Sequence, residues 1–191
     1  MFSQKEYSDI RVVELNKLRP DEVIMGIKVE AMPSLHHLRE VKDLSLFLGI
    51  GCNKVRKHYW TLLSEEGFNT PNLISSNALI DPTLKLGQAN VICPNAFIGP
   101  CVQLGDNNLI NTASILEHET VIGSHSHLAP KSVLAGRSII HDSCFIGTGA
   151  SIVDGVEVAS HTTIGAGATL IKSISKSHQT LVGLPARPIK K

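Results

Sequence analysis

Apolar residues recur along the second half of this chain with a beat of six. From Ile74 every sixth residue is Ile, Leu or Val: Ile74, Ile80, Leu86, Ile92, Ile98, Leu104, Ile110, Leu116, Ile122, Leu128, Leu134, Ile140, Ile146, Ile152, Val158, Ile164 and Leu170. Four residues after most of these stands a small or β-branched side chain, as at Ala96, Val102, Ser114, Thr120, Ser126, Ser132 and Cys144. Gly often follows the aliphatic directly, at Gly87, Gly99, Gly105, Gly123, Gly147 and Gly165. A period of six does not keep one face of a 3.6-residue helix apolar. It suits a coil of short parallel strands, each hexapeptide giving one strand and one corner, with the aliphatic inward and Gly or Asn in the tight turn.

The first 73 residues have a different texture. Ile10–Leu15 and Leu44–Ile50 are expected as strands. A helix is expected over Asn53–Glu66, with Asn53 as N-cap, Val55, Tyr59, Leu62 and Leu63 as its apolar face, and Gly67 as its stop. Strand, then Gly49-Ile50-Gly51, then helix is a turn that can present N–H groups to a phosphate. Beyond Lys172 the repeat gives way to a polar loop and to Leu181-Val182-Gly183-Leu184-Pro185-Ala186-Arg187-Pro188. The chain therefore divides at the sequence level into 1–73, 74–172 and 173–191.

Composition narrows the function classes. A net charge of +1 argues against a general electrostatic grip on nucleic acid or anionic lipid. Aromatics are 4%, so the core is aliphatic. The four cysteines form no C-x-x-C pair, and no apolar run approaches a membrane span. The expectation is a cytoplasmic protein. Among nine histidines, His118 is set apart by its surroundings, Leu116-Glu117-His118-Glu119-Thr120-Val121-Ile122-Gly123, where an acid on either side can hold one ring nitrogen. One beat of eighteen later stands Gly136, which leaves room above the ring. No His-x4-His pair occurs in the repeat, so no metal is expected.

The unbroken [Ile/Leu/Val]-[Gly/small]-x-x-[small]-x array resembles the left-handed β-helix of hexapeptide acyltransferases, three hexapeptides per triangular coil. Together with Phe47-Leu48-Gly49-Ile50-Gly51-Cys52-Asn53-Lys54-Val55-Arg56-Lys57 and the Val182-Gly183-Leu184-Pro185-Ala186-Arg187 tail, it is similar to bacterial sugar acetyltransferases. These include sialic-acid O-acetyltransferases and N-acetyltransferases of nucleotide-linked 4-amino sugars. The resemblance implies a mainly β chain: a left-handed parallel β-helix, an N-terminal Rossmann-like domain and a tail closing the last coil. It implies acetyl-CoA as co-substrate, a homotrimer with sites in the grooves between copies, and a role in surface-glycan synthesis. The Gly-x-x-Gly-His-Gly loop with which family members open is missing, so the Rossmann-like domain is expected to be incomplete.

The resemblance further implies His118 as catalytic base, polarised by Glu119, and direct attack by the acceptor amine. It implies His127, Gly136, Thr148 and Ala166 as acetyl-CoA contacts, and Gly51 and Asn111 as acceptor contacts. His118 and His127 lie half a coil apart and are expected to face different grooves. O-acetylation of a sialic-acid-like sugar and a catalytically silent trimeric scaffold remain the alternatives.

Overall fold

The computed structural model describes residues 9–14, 19 and 21–189. They belong to two compact units, one ending at Leu44 and one running on from Ser45. The division falls ahead of the expected boundary at residue 73, because the helix and its leading loop pack with the coils.

In the first unit, Val12–Glu14 pairs in parallel with Ile27–Ala31, which pairs antiparallel with Val23–Ile24 across a turn where Met25 and Gly26 have φ of 51° and 81°. Ser34 caps the short helix Leu35–Arg39 by accepting from the His37 N–H at 3.2 Å. Among the described residues, Val29 and Leu38 are the buried apolar ones here. The first expected strand is thus present as Val12–Glu14, while Leu15 lies outside the described residues.

The second expected strand, Leu44–Ile50, is not formed. Only Ser45 makes an isolated bridge, to Asn69. The carbonyls of Ile50 and Gly51 bond to the Arg56 guanidinium and to His127 instead of to a neighbouring strand. The helix follows, over Asn53–Glu65, and its N-cap is Cys52 rather than Asn53. Asn53 sits inside the first turn and spends its amide on the Cys144 carbonyl (2.8 Å) and its oxygen on Arg56 (2.9 Å). Gly67 ends the helix with φ 75°, a conformation that favours glycine. Of the expected face Leu63 is buried and Tyr59 and Leu62 are half-buried, but Val55 is exposed and the polar Arg56 is buried beside them.

From Leu73 the chain winds into a three-sided, left-handed parallel β-helix of two-residue strands. Each strand pairs with the one eighteen residues later, as in Leu73↔Val91↔Leu109↔His127↔Phe145↔Thr163 on the first face. The second face stacks Leu79–Ile80, Phe97–Ile98, Ile115–Leu116, Val133–Leu134, Ser151–Ile152 and Thr169–Leu170. The third stacks Lys85–Leu86, Gln103–Leu104, Val121–Ile122, Ile139–Ile140 and Glu157–Val158. The six-beat aliphatics point inward, and from Ile92 to Leu170 all are buried. Each such burial is worth about 1.5–3 kcal/mol as an upper figure. Ile74 in the first coil is exposed, so the core begins one coil in.

The corners differ from expectation. Left-handed φ falls on the third residue after the aliphatic, where almost any side chain takes it: Ala89, Asn95, Cys101, Glu119, His125, Lys131, Arg137 and Ser143 all have φ between 54° and 63°. The coil imposes this conformation, since the amide there bonds a carbonyl of the preceding coil (Glu119 to Pro100, 2.9 Å; Arg137 to His118, 2.9 Å). The glycines directly after the aliphatics serve close packing instead. A Cβ on Gly147 would lie 2.6 Å from the Ala166 nitrogen of the next coil. One corner is pinned by a side-chain ladder in which Asn90, Asn108 and Ser126 each bond backbone of neighbouring coils. At the far end Thr180–Val182 extends the first face and turns back as Arg187–Pro188, burying Leu181 and Ala186 against the last coil.

Candidate active site

His118 stands at the corner that follows the second-face strand Ile115–Leu116. Its Nδ1 lies 3.0 Å from Oε2 of Glu119, whose left-handed backbone (φ 59°) turns the carboxylate back toward the ring. A carboxylate accepts, so Nδ1 donates, and in the neutral ring Nε2 holds the lone pair. Nε2 has no hydrogen-bond partner among the described residues, and 42% of the side chain's surface is open to solvent.

Gly136, one coil on, does not leave empty space above the ring: the ring itself fills that space. A Cβ on Gly136 would sit 2.5 Å from both Cε1 and Nε2 of His118, so only glycine admits this rotamer without displacement. Two further charges share the corner. Arg137 donates from one terminal nitrogen to both oxygens of Asp154 (2.9 and 2.8 Å), and its other terminal nitrogen lies 3.9 Å from Glu119. Hydrogen bonding to Asp154 holds the Arg137 guanidinium above its ordinary pKa.

A second group assembles on the first face. His127 is buried, and its Nδ1 donates to the Gly51 carbonyl at 3.0 Å. Its Nε2 accepts from the Asn111 side-chain amide at 3.2 Å, while the Asn111 oxygen accepts from the Thr112 N–H at 2.8 Å. Phe145 meets the ring edge-on. Burial pushes the His127 pKa down, and the Gly51 carbonyl opposes this more weakly. Gly51, Asn111 and His127 therefore converge, with both nitrogens of the ring engaged within the chain.

Arg56 underlies this group. It is fully buried and donates to the carbonyls of Ile50, Asn107, His125 and Ser126 and to the Asn53 oxygen, at 2.8 to 3.1 Å. Desolvation lowers its pKa to about 10. The guanidinium thereby nails the Ile50–Gly51 loop and the helix to the coils, and Trp60 packs edge-on against His125 beside it.

Thr148 and Ala166 do not share a corner with Gly136. They are exposed and stack at the corner following the first face, where the Thr148 carbonyl accepts from the Gly167 N–H at 2.8 Å. Arg56, Arg137 and Asp154 were missed from the sequence, although Arg137 follows Glu119, and Asp154 follows Gly136, at the same eighteen-residue interval that joins His118 to Gly136. Among the described residues no three His, Cys, Asp or Glu side chains come together as a metal site, and no helix is long and apolar enough to cross a membrane.

The family described as bacterial transferase hexapeptide (six repeats) matches residues 137–172. No curated protein matches the chain. Among solved structures, the acetyltransferase domain of PglB from Neisseria gonorrhoeae is similar at 28% identity and TM-score 0.83, over 94% of this chain and 87% of that one. That domain has also been solved in complex with acetyl coenzyme A. A histidine-to-alanine mutant of GDP-perosamine N-acetyl transferase from Caulobacter crescentus, in complex with CoA and GDP-perosamine, is similar at 27% identity and TM-score 0.82, over 90% and 82%. WeeI from Acinetobacter baumannii matches at 25% identity and TM-score 0.78, over 88% and 81%. The chain thus carries the hexapeptide repeat of that family over residues 137–172 and is similar in fold, along nearly its whole length, to sugar N-acetyltransferases.

Proposed function

We propose that this protein transfers the acetyl group of acetyl-CoA to the amine of a nucleotide-linked amino sugar, with His118 as general base. The observation that carries the reading is the His118 ring itself, fixed by Glu119 on one nitrogen, seated over a glycine, and open on the other. The complexes of the similar proteins with acetyl coenzyme A, or with CoA and GDP-perosamine, supply the two substrate classes.

The acceptor nitrogen attacks the thioester carbonyl, forming the N–C bond, and collapse of the tetrahedral intermediate breaks the C–S bond. Nε2 takes the proton lost by the nitrogen and passes it to the leaving thiolate, while Glu119 steadies the imidazolium. Direct attack needs no acyl-enzyme. Burial raises the Cys144 thiol to about 11, and replacing the exposed Cys101, one coil before Glu119, by Ser leaves turnover unchanged on this account.

Gly51 and Asn111 orient the acceptor, with His127 fixing both from behind. The exposed corner of Thr148 and Ala166 offers its backbone to the pantetheine arm, and Gly136 seats the His118 ring toward its reacting end. Because that corner and the His118 corner are distinct, the site is completed in a homotrimer. The outward apolar residues Phe97, Ile115 and Val133 on the second face, and Val121 and Ile139 on the third, flank the His118 corner and supply the contact between copies. Acetyl-CoA as donor places the reaction in the cytoplasm, within surface-glycan synthesis.

The test is release of free thiol from acetyl-CoA in the presence of nucleotide-linked 4-amino sugars, GDP-perosamine first. Acceptor-dependent release is expected. Tight acetyl-CoA binding with no release across amine and hydroxyl acceptors would contradict the reading and favour a silent scaffold.

A further inference from the structure

The acceptor of such a transfer reaches the site as an ammonium, which must be recognised and must lose a proton before it can attack. A neutral His118 can accept one N–H of that cation at Nε2 but brings no negative charge to hold it. The corner column of His118, Gly136 and Asp154, three residues at one-coil intervals, places a second group beside the reacting nitrogen. The point that a Gly136 Cβ would occupy lies 2.5 Å from Nε2 of His118 and 3.1 Å from Oδ1 of Asp154. Nε2 of the base and one carboxylate oxygen therefore border the same glycine.

From this we infer that Asp154 receives the acceptor's ammonium and makes the site select an amine over a hydroxyl; the inference rests on the acetyl-transfer reading above. Arg137 holds the carboxylate in place through both oxygens, and a carboxylate retains further acceptor sites after two hydrogen bonds. Arg137 offsets one of the two acids it touches, Glu119 and Asp154, so the corner with a neutral imidazole carries a net negative charge. That charge attracts an ammonium and does nothing for a neutral hydroxyl. The bound ammonium gives one proton to solvent and becomes the free amine next to Nε2. The amine then attacks the thioester, and its second proton goes to Nε2 and on to the departing thiolate. The overall balance is ammonium plus thioester giving amide, thiol and one proton.

The experiment compares wild type with Asp154→Asn and Asp154→Ala. Calorimetric titration with GDP-perosamine, and with the same nucleotide sugar bearing a 4-hydroxyl, reads recognition without turnover. Thiol release reads KM and kcat. Asp154→Asn is expected to weaken binding and raise KM for the amino sugar about tenfold, with kcat changed less. Affinity for the hydroxyl sugar and stabilisation by acetyl-CoA should not move. Equal losses for both sugars, or unchanged affinity for the amine in both variants, would overturn the role of Asp154. Failure of wild type to release thiol while its preference for the amino sugar disappears in Asp154→Asn would sink the acetyl-transfer reading and leave amine recognition standing.

Discussion

His118 and His127 lie on the same β-helix, and their settings are opposite. His118 sits on a corner, half-exposed, with one nitrogen bonded to a carboxylate and the other open. His127 sits on a flat face, buried under the helix Asn53–Glu65 and its leading loop, with both nitrogens bonded to neutral groups. The repeat offers both positions the same backbone. What separates them is the cover: a corner leaves a side chain in solvent, whereas the first face is roofed by Arg56, Gly51 and Trp60. A ring with a free lone pair can exchange protons, while a ring saturated on both sides can only hold its neighbours in place.

That contrast can be broken at either end, and the roofed end should respond most strongly. Replacing Arg56 by Ala removes the donors that satisfy four carbonyls, three of them buried. The expected loss is about 3 kcal/mol of stability in urea unfolding. Lysine should not restore it, because a single ammonium has three donors and lacks the planar fork.

At the open end, Gly136→Ala places a methyl group 2.5 Å from the imidazole. The ring is the far end of an exposed side chain and swings away, so the fold survives while kcat/KM in the thiol-release assay falls about 10²-fold. Intact turnover in that variant would show that the observed rotamer is not the working one.

The smallest effect sharpens the comparison through pH. Burial lowers the pKa of His127, and likewise of His125, below the ordinary imidazole value. The unfolded chain then binds more protons as pH falls through that ordinary value, about 6.5. Stability should be flat above it and decline below it, until the folded-state rings also protonate. Melting temperatures measured between about pH 7.5 and 5.5 should show the decline, and His127→Gln should make it shallower. A wild-type curve indifferent to acid would contradict the buried, neutral ring.

The inward column from Ile92 to Leu170 was legible in the sequence, because burial on every sixth residue tolerates only aliphatics there. His118, Glu119 and Gly136 were legible as a group for the same reason, since eighteen residues is one coil. The corners were not: their left-handed backbone is imposed by hydrogen bonds to the preceding coil, so Glu119, Lys131 and Arg137 occupy it with no glycine to mark the place. Arg56 was invisible to a search for apolar faces, because what the helix buries is a set of carbonyls that need donors. The segment Leu44–Ile50 reads as a strand by composition, yet its last carbonyls are claimed by Arg56 and His127.

The decisive measurement is kcat/KM for acetyl transfer by His118→Ala, with acetyl-CoA binding followed in parallel by thermal shift. A fall of about 10²–10⁴-fold with coenzyme binding retained is predicted. Turnover near the wild-type rate would remove the imidazole from the chemistry.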